Sequence, residues 1–288
     1  MIGYIFAALS GGAHGLMNVA DKFVVSHRVK RAFGYTIYVG AFNLLLGAII
    51  ALFLNWSKVT LTDLWLPIIV GVFYGASAYL YYAVMDKEDA SHSIGLLYLY
   101  PLIVALLSFI FLGERLQLVQ YAGIIITILG AILLSVRLHE LKLKTSIWIL
   151  LGFIVSTAII EFLIKIAVSN ISAWNGSVVT FMAFGATVLF GLFVPSIRAD
   201  AKSEWHNAKW TGITETLNYL GNLFVYTAMT ILPATIVSSV CATEPLFVLF
   251  FEKLAHKKFG GMARDEKFGS KAIAICCIVI GIALMYLA

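Results

Sequence analysis

The chain has 288 residues, of which 61% are apolar and 12% charged, with a formal net charge of +5. That charged share is about half that of soluble domains, and nothing outside the apolar runs is long enough to fold as a soluble domain. The basic residues sit in short segments between apolar runs, a membrane-topology pattern that excludes a nucleic-acid surface.

A membrane-spanning helix needs about 20 mostly apolar residues. Ten segments meet that length: 2–22, 36–54, 65–85, 92–112, 117–136, 146–169, 175–195, 210–229, 234–254 and 270–288. Their continuous hydrophobicity over helical lengths excludes a β-barrel, whose strands alternate. The first Lys or Arg is Lys22, at the end of the first run, so no cleavable signal peptide is expected. This first segment places Ser10, His14, Asn18, Asp21 and Lys22 on one stripe. Asp21 and Lys22 lie near its end, where long charged side chains reach toward water. The third segment carries Gly71, Tyr74, Ala78 and Tyr82 on one face. After it, Asp86-Lys87-Glu88-Asp89 reads as a solvated loop, because the aligned positions in the second half, Thr230-Ile231-Leu232-Pro233, hold no acid for a metal site.

The fourth segment is rich in tyrosine, with Tyr98 and Tyr100 following Tyr79, Tyr81 and Tyr82 in the third. It contains Pro101, expected to kink its helix. The five residues Gly113–Gln117 leave room only for a hairpin to the fifth segment. The sixth carries Thr157, Glu161, Lys165 and Ser169 on one stripe, and Glu161 and Lys165 are spaced for an i,i+4 ion pair. Polar stretches at Arg198–Lys209 and Glu252–Lys271 read as loops. The eighth segment aligns Glu215, Asn218, Asn222 and Tyr226, and the ninth places Glu244 before Pro245, a second expected kink. Trp56, Trp65, Trp205 and Trp210 fit an interfacial belt. Cys241, Cys276 and Cys277 lie in apolar runs without metal-ligand spacing, so neither a metal nor another cofactor is expected.

The second half echoes the first. Tyr82, Met85, Ala90 and Pro101 recur 144 residues later as Tyr226, Met229, Ala234 and Pro245, and Lys22 and Ser26 recur 143 later as Lys165 and Ser169. The odd-numbered connections and their flanks hold 17 of the 20 Lys and Arg residues, placing those connections in the cytoplasm and both termini outside. Five segments per half then give opposite orientations. The expected fold class is an all-α integral membrane protein of ten transmembrane helices in two inverted five-helix repeats, 1–144 and 145–288, forming one transport domain.

Leu99-Tyr100-Pro101, Gly113-Glu114-Arg115-Leu116, then Gln120 and Gly123, and Leu129-Gly130-Ala131 form a recognisable series, with a degraded counterpart in Glu244-Pro245 and Ile280-Gly281. The series resembles the EamA-like ten-helix carriers of the drug/metabolite transporter superfamily. The resemblance implies alternating access around a cavity between the halves, and termini in the cytoplasm, the reverse of the charge count. Where the first half has Gly113-Glu114-Arg115-Leu116, the second has a longer basic loop.

Ionisable groups at bilayer depth are costly and mark function by default. The expected substrate-binding residues are His14, Asn18, Tyr74, Tyr82, Glu161, Asn218, Asn222, Tyr226 and Glu244, with Glu161, Glu244 and His14 as candidates for proton coupling. The reading is a non-enzymatic secondary transporter of a small polar metabolite, an amino acid or organic amine, acting as a monomer or homodimer in a prokaryotic cytoplasmic membrane. Its partners are that solute and the bilayer, with no nucleic acid. The alternative is a lipid flippase or scramblase, or a membrane enzyme acting on a lipid-linked substrate.

Overall fold

The structure, a computed structural model, describes residues 1–85, 94–135, 147–259 and 268–287, and among them every regular element is helical. The long apolar runs dictate this, since in lipid a helix satisfies its backbone groups internally. In chain order the helices are α1 (Ile2–His27), α2 (Ala32–Ala51), α3 (Leu61–Met85), α4 (Tyr100–Leu107), α5 (Leu118–Ser135), α6 (Ile147–Ala167), α7 (Ala173–Leu189), α8 (Pro195–Glu204), α9 (Ala208–Met229), α10 (Ala234–Cys241), α11 (Glu244–Phe259) and α12 (Phe268–Leu287). Asp86-Lys87-Glu88-Asp89 lies outside the described residues.

Among the described residues, five segments are long and apolar enough to cross a membrane: Ala32–Ala51, Leu61–Tyr82, Trp148–Ala167, Ala173–Phe193 and Ala234–Leu254. Three shorter apolar helices accompany them, Leu97–Leu112, Leu118–Leu134 and Lys271–Leu287. The long helices outside this set, α1 and α9, carry the polar stripes and pack along each other. Outward faces are apolar, with Leu106, Phe109, Ile110, Phe111 and Val279 exposed, whereas Ser10, Asp21, Asn43, Glu161, Glu215 and Asn222 are buried. A water-soluble protein arranges these groups the other way round.

Two expectations about shape are corrected. Pro101 and Pro245 do not bend continuous helices. Each is the second residue of a new one, α4 or α11, where its missing N–H costs nothing. A 3₁₀ segment, Ile94–Leu99, precedes α4, and Ala242 and Thr243 separate α10 from α11. The polar stretch starting at Arg198 is not a loop either. Pro195 starts α8, which lies against α2 with Tyr38 donating to the Ala201 carbonyl at 2.8 Å, and α11 carries helix past Glu252.

The connections are fixed by two carboxylates, Glu204 and Glu114. Glu204 accepts from the Lys30 and Arg31 amides at 3.0 and 2.9 Å, holding the α1–α2 turn against α8. Glu114 accepts from the Ala234 amide at 2.8 Å and from the Thr235 hydroxyl at 3.0 Å, capping α10 from the opposite half of the sequence. Gly113 makes that reach possible. Its φ of 65° ends the π-helical turn Ser108–Leu112 in the left-handed conformation that glycine adopts without strain.

Candidate functional site

The polar side chains of α1 and α9 meet those of α3, α6 and the α10–α11 break. Asn18 of α1 donates its amide to Glu244 Oε1 in a short hydrogen bond. Tyr98 donates to the same oxygen at 3.4 Å, and Tyr81 donates to Asn18 Oδ1 at 3.3 Å. The helix break brings Glu244 here.

His14 bridges α1 and α9. Its Nδ1 lies 3.3 Å from Ser10 Oγ and its Nε2 lies 3.4 Å from Asn222 Nδ2. An amide N–H can only donate, so Nε2 is the acceptor and Nδ1 the proton carrier. The ring lies flat against Gly221, where a Cβ would come within 2.6 Å of Nε2, so α9 needs glycine at this point. Tyr74 donates to Asn222 Oδ1 in a short bond, and Asn222 donates to Asn218 Oδ1 at 3.0 Å. Asn218 passes the chain on to Glu215 Oε2 at 2.9 Å. The network thus runs unbroken from His14 through two amides to a buried acid.

A second acid stands apart. Ser238 donates to Glu161 Oε2 in a short bond, and Tyr100 faces the same carboxylate while donating to the Ser238 carbonyl at 3.1 Å. The expected ion pair with Lys165 is not formed. Lys165 Nζ donates instead to the Met229 and Leu232 carbonyls, both at 2.8 Å, at the turn between α9 and α10. Those carbonyls lack helical partners, and the long lysine stem reaches them from one turn beyond Glu161.

The structure therefore brings His14, Asn18, Tyr74, Asn218, Asn222 and Glu244 into one cluster, with Glu161 beside it. Two expected residues fall elsewhere. Tyr226 is buried but bonds Thr180 at 2.6 Å, joining α9 to α7. Tyr82 packs edge-on against Tyr35 at 6.0 Å and against Tyr81 at 5.1 Å. Of the remaining stripe residues, Lys22 pairs with Glu252 at 3.1 Å near the surface, and Thr157 bonds its own helix at 2.9 Å. Sequence reasoning missed Ser238, which nothing distinguishes within its stretch. It also missed Asn43, which had a signal as the lone amide in the apolar run of α2. Asn43 donates to Glu215 Oε2 at 2.7 Å.

Of four acids among these helices, Asp21, Glu161 and Glu215 are buried and Glu244 is partly buried. The ion pairs among the described residues are Lys22–Glu252 and Arg31–Asp200, so none of the four has a basic partner there. No group of three His, Cys, Asp or Glu among those residues could hold a metal ion.

Outward apolar faces, membrane-length helices and a polar interior define an integral, multi-pass membrane protein. Residues 1–136 match the EamA-like transporter family, a match consistent with the drug/metabolite transporter superfamily. A protein known from its crystal structure is similar over 98% of this chain and 96% of its own, with a TM-score of 0.69 and 17% identity. At that identity the likeness is one of fold. No curated protein matches the chain.

Proposed function

We propose that the protein is a secondary carrier of a small polar metabolite, an amino acid or organic amine, working by alternating access with its substrate held at Glu244 and Glu161. In this reading ten helices cross a prokaryotic cytoplasmic membrane, and residues 1–144 and 145–288 are inverted halves of one transport domain. The observation that carries it is the set of buried carboxylates without basic partners, beside a histidine and paired asparagines. Uncompensated acids at bilayer depth cost several kcal/mol each unless a cation or proton joins them. An ammonium group fits Glu244, where the Tyr98 hydroxyl and the Asn18 amide already gather around the carboxylate. The amides of Asn218 and Asn222, with His14, suit the polar remainder of such a solute. Glu161, Glu244 and His14 are the groups that would carry a coupled proton.

The helix pairings support the inverted halves, because exchanging the halves reproduces them. α1 packs on α9 as α6 packs on α3, and α5 packs on α12. Within that last pair Gly130 abuts the Ala274 carbonyl and Gly281 abuts the Gly123 carbonyl. Gly281 lies 151 residues after Gly130, and Ala274 lies 151 after Gly123, so the two contacts are one contact seen twice. Uptake of labelled amino acids and amines into proteoliposomes tests the reading. Glu244→Gln and Glu161→Gln should each slow uptake at least roughly tenfold, since a lost charge-assisted hydrogen bond is worth about 1.5–3 kcal/mol. Wild-type rates in both variants for every transported solute would sink it.

A further inference from the structure

At the far end of the His14–Asn222–Asn218 chain, a group of oxygens closes around Asp21 and Glu215. Asp21 lies in the last two turns of α1, and Glu215 in the second turn of α9. The two carboxyl groups are near enough to repel each other, and Tyr35 of α2 faces both. The Thr214 hydroxyl stands beside Asp21 and Tyr35 without meeting hydrogen-bond geometry with either. Asn43 spends its amide protons on the Val39 carbonyl at 2.9 Å and on Glu215 Oε2 at 2.7 Å, which fixes its Oδ1 as a free acceptor.

Five buried side-chain polar atoms among the described residues have no hydrogen-bond partner: Asp21 Oδ1, Tyr35 Oη, Asn43 Oδ1, Ser108 Oγ and Thr214 Oγ1. All but Ser108 belong to this one group, and the parent residues Asp21, Tyr35, Asn43 and Thr214 are at most 2% exposed. Buried polar atoms are almost always satisfied, so four orphans in one place call for an occupant. The neighbourhood holds two carboxyl groups, and neither forms an ion pair with a basic side chain among the described residues. The amide donors from Asn43 and Asn218 both end on Glu215 Oε2 and leave Asp21 uncompensated.

We propose that Asp21, Tyr35, Asn43, Thr214 and Glu215 form a binding site for a single Na⁺ ion, distinct from the cluster at Glu244. An all-oxygen set of carboxylate, amide carbonyl and hydroxyl ligands suits a hard cation, and the group lacks the third acid or histidine that a transition metal would use. One bound Na⁺ satisfies the orphaned oxygens and supplies a positive charge beside the two carboxyl groups. The site joins α1 and α2 of the first half to α9 of the second, so occupancy ties the halves together near the end of α1.

The test uses the purified full-length protein in detergent without any solute, so it is independent of the transport reading. Melting temperature is measured against NaCl and against choline chloride at equal ionic strength, together with direct binding of radioactive Na⁺. A saturable rise with NaCl alone and matching radiolabel binding are expected, because a ligand that binds only the folded state raises its stability. Both should vanish in Asp21→Asn. If Asp21→Asn does not fold, Thr214→Val, which removes one hydroxyl at nearly constant volume, should move the Na⁺ midpoint upward severalfold. A wild-type protein that responds equally to NaCl and choline chloride would overturn the proposal. So would an unchanged Na⁺ response in Asp21→Asn or, where that variant does not fold, in Thr214→Val.

Discussion

Lys165 and Glu161 separate a structural charge from a chemical one. Lys165 completes two carbonyls at the α9–α10 turn, whereas Glu161 is held by Ser238 and Tyr100. Replacing Lys165 by Met leaves both carbonyls short of a donor, at a cost of about 1–3 kcal/mol. A lower melting temperature is expected, with transport kept within about threefold because Glu161 loses no partner; threefold corresponds to less than 1 kcal/mol. A transport loss as deep as that of Glu161→Gln would mean that the two residues act as a pair after all. Asn18 is the opposite case. It supplies the short amide bond to Glu244, and Asn18→Ala leaves that carboxylate only the longer contact from Tyr98. Both stability and uptake should fall together in that variant, by about 1.5–3 kcal/mol in melting experiments. Unchanged melting would place the bond outside the folded state that matters.

Among the elements, the Gly113-Glu114 step shows why a short motif can be rigidly built. The glycine permits the left-handed turn, and the glutamate then reaches across to cap α10. Glu114→Ala should destabilise the protein by about 1–2 kcal/mol through loss of the cap, with Glu114→Gln in between. Thermal melting of the three proteins checks the order, and equal melting points would deny the cap any energetic role. The apolar runs made the helices themselves legible, since lipid leaves the backbone no other choice. Their interruptions were not legible. Proline signalled a disturbance at 101 and 245, but its sequence position does not distinguish a bend from a fresh start. The same limit explains the site. His14, Asn18, Asn218 and Asn222 could be aligned from spacing within α1 and α9, whereas Ser238, Asn43 and Thr214 gain meaning only from the helices packed against them.

At the scale of the whole molecule, the polar groups run through the bundle between α1 and α9, and the ion pairs Lys22–Glu252 and Arg31–Asp200 lie toward the odd-numbered connections. Lys22 of α1 holds Glu252 of α11, with the lysine side chain 51% exposed, so water screens the pair and it contributes little to stability. What the pair marks is a contact between the first half of the chain and the second. In an alternating-access cycle the halves rock against each other, and a contact of this kind must open and close once per turnover. Lys22→Cys with Glu252→Cys, in a chain whose own Cys241, Cys276 and Cys277 are replaced, places one thiol on each side of that contact. Bridging the thiols with a short bifunctional methanethiosulfonate reagent should stop uptake while leaving bound solute detectable by thermal shift, and reductant should restore the rate. The doubly substituted protein should transport without the reagent, because a screened surface pair is worth about 0–1 kcal/mol. Undiminished uptake in the bridged protein would mean that α1 and α11 travel together, and the moving boundary would then have to be sought elsewhere between the halves.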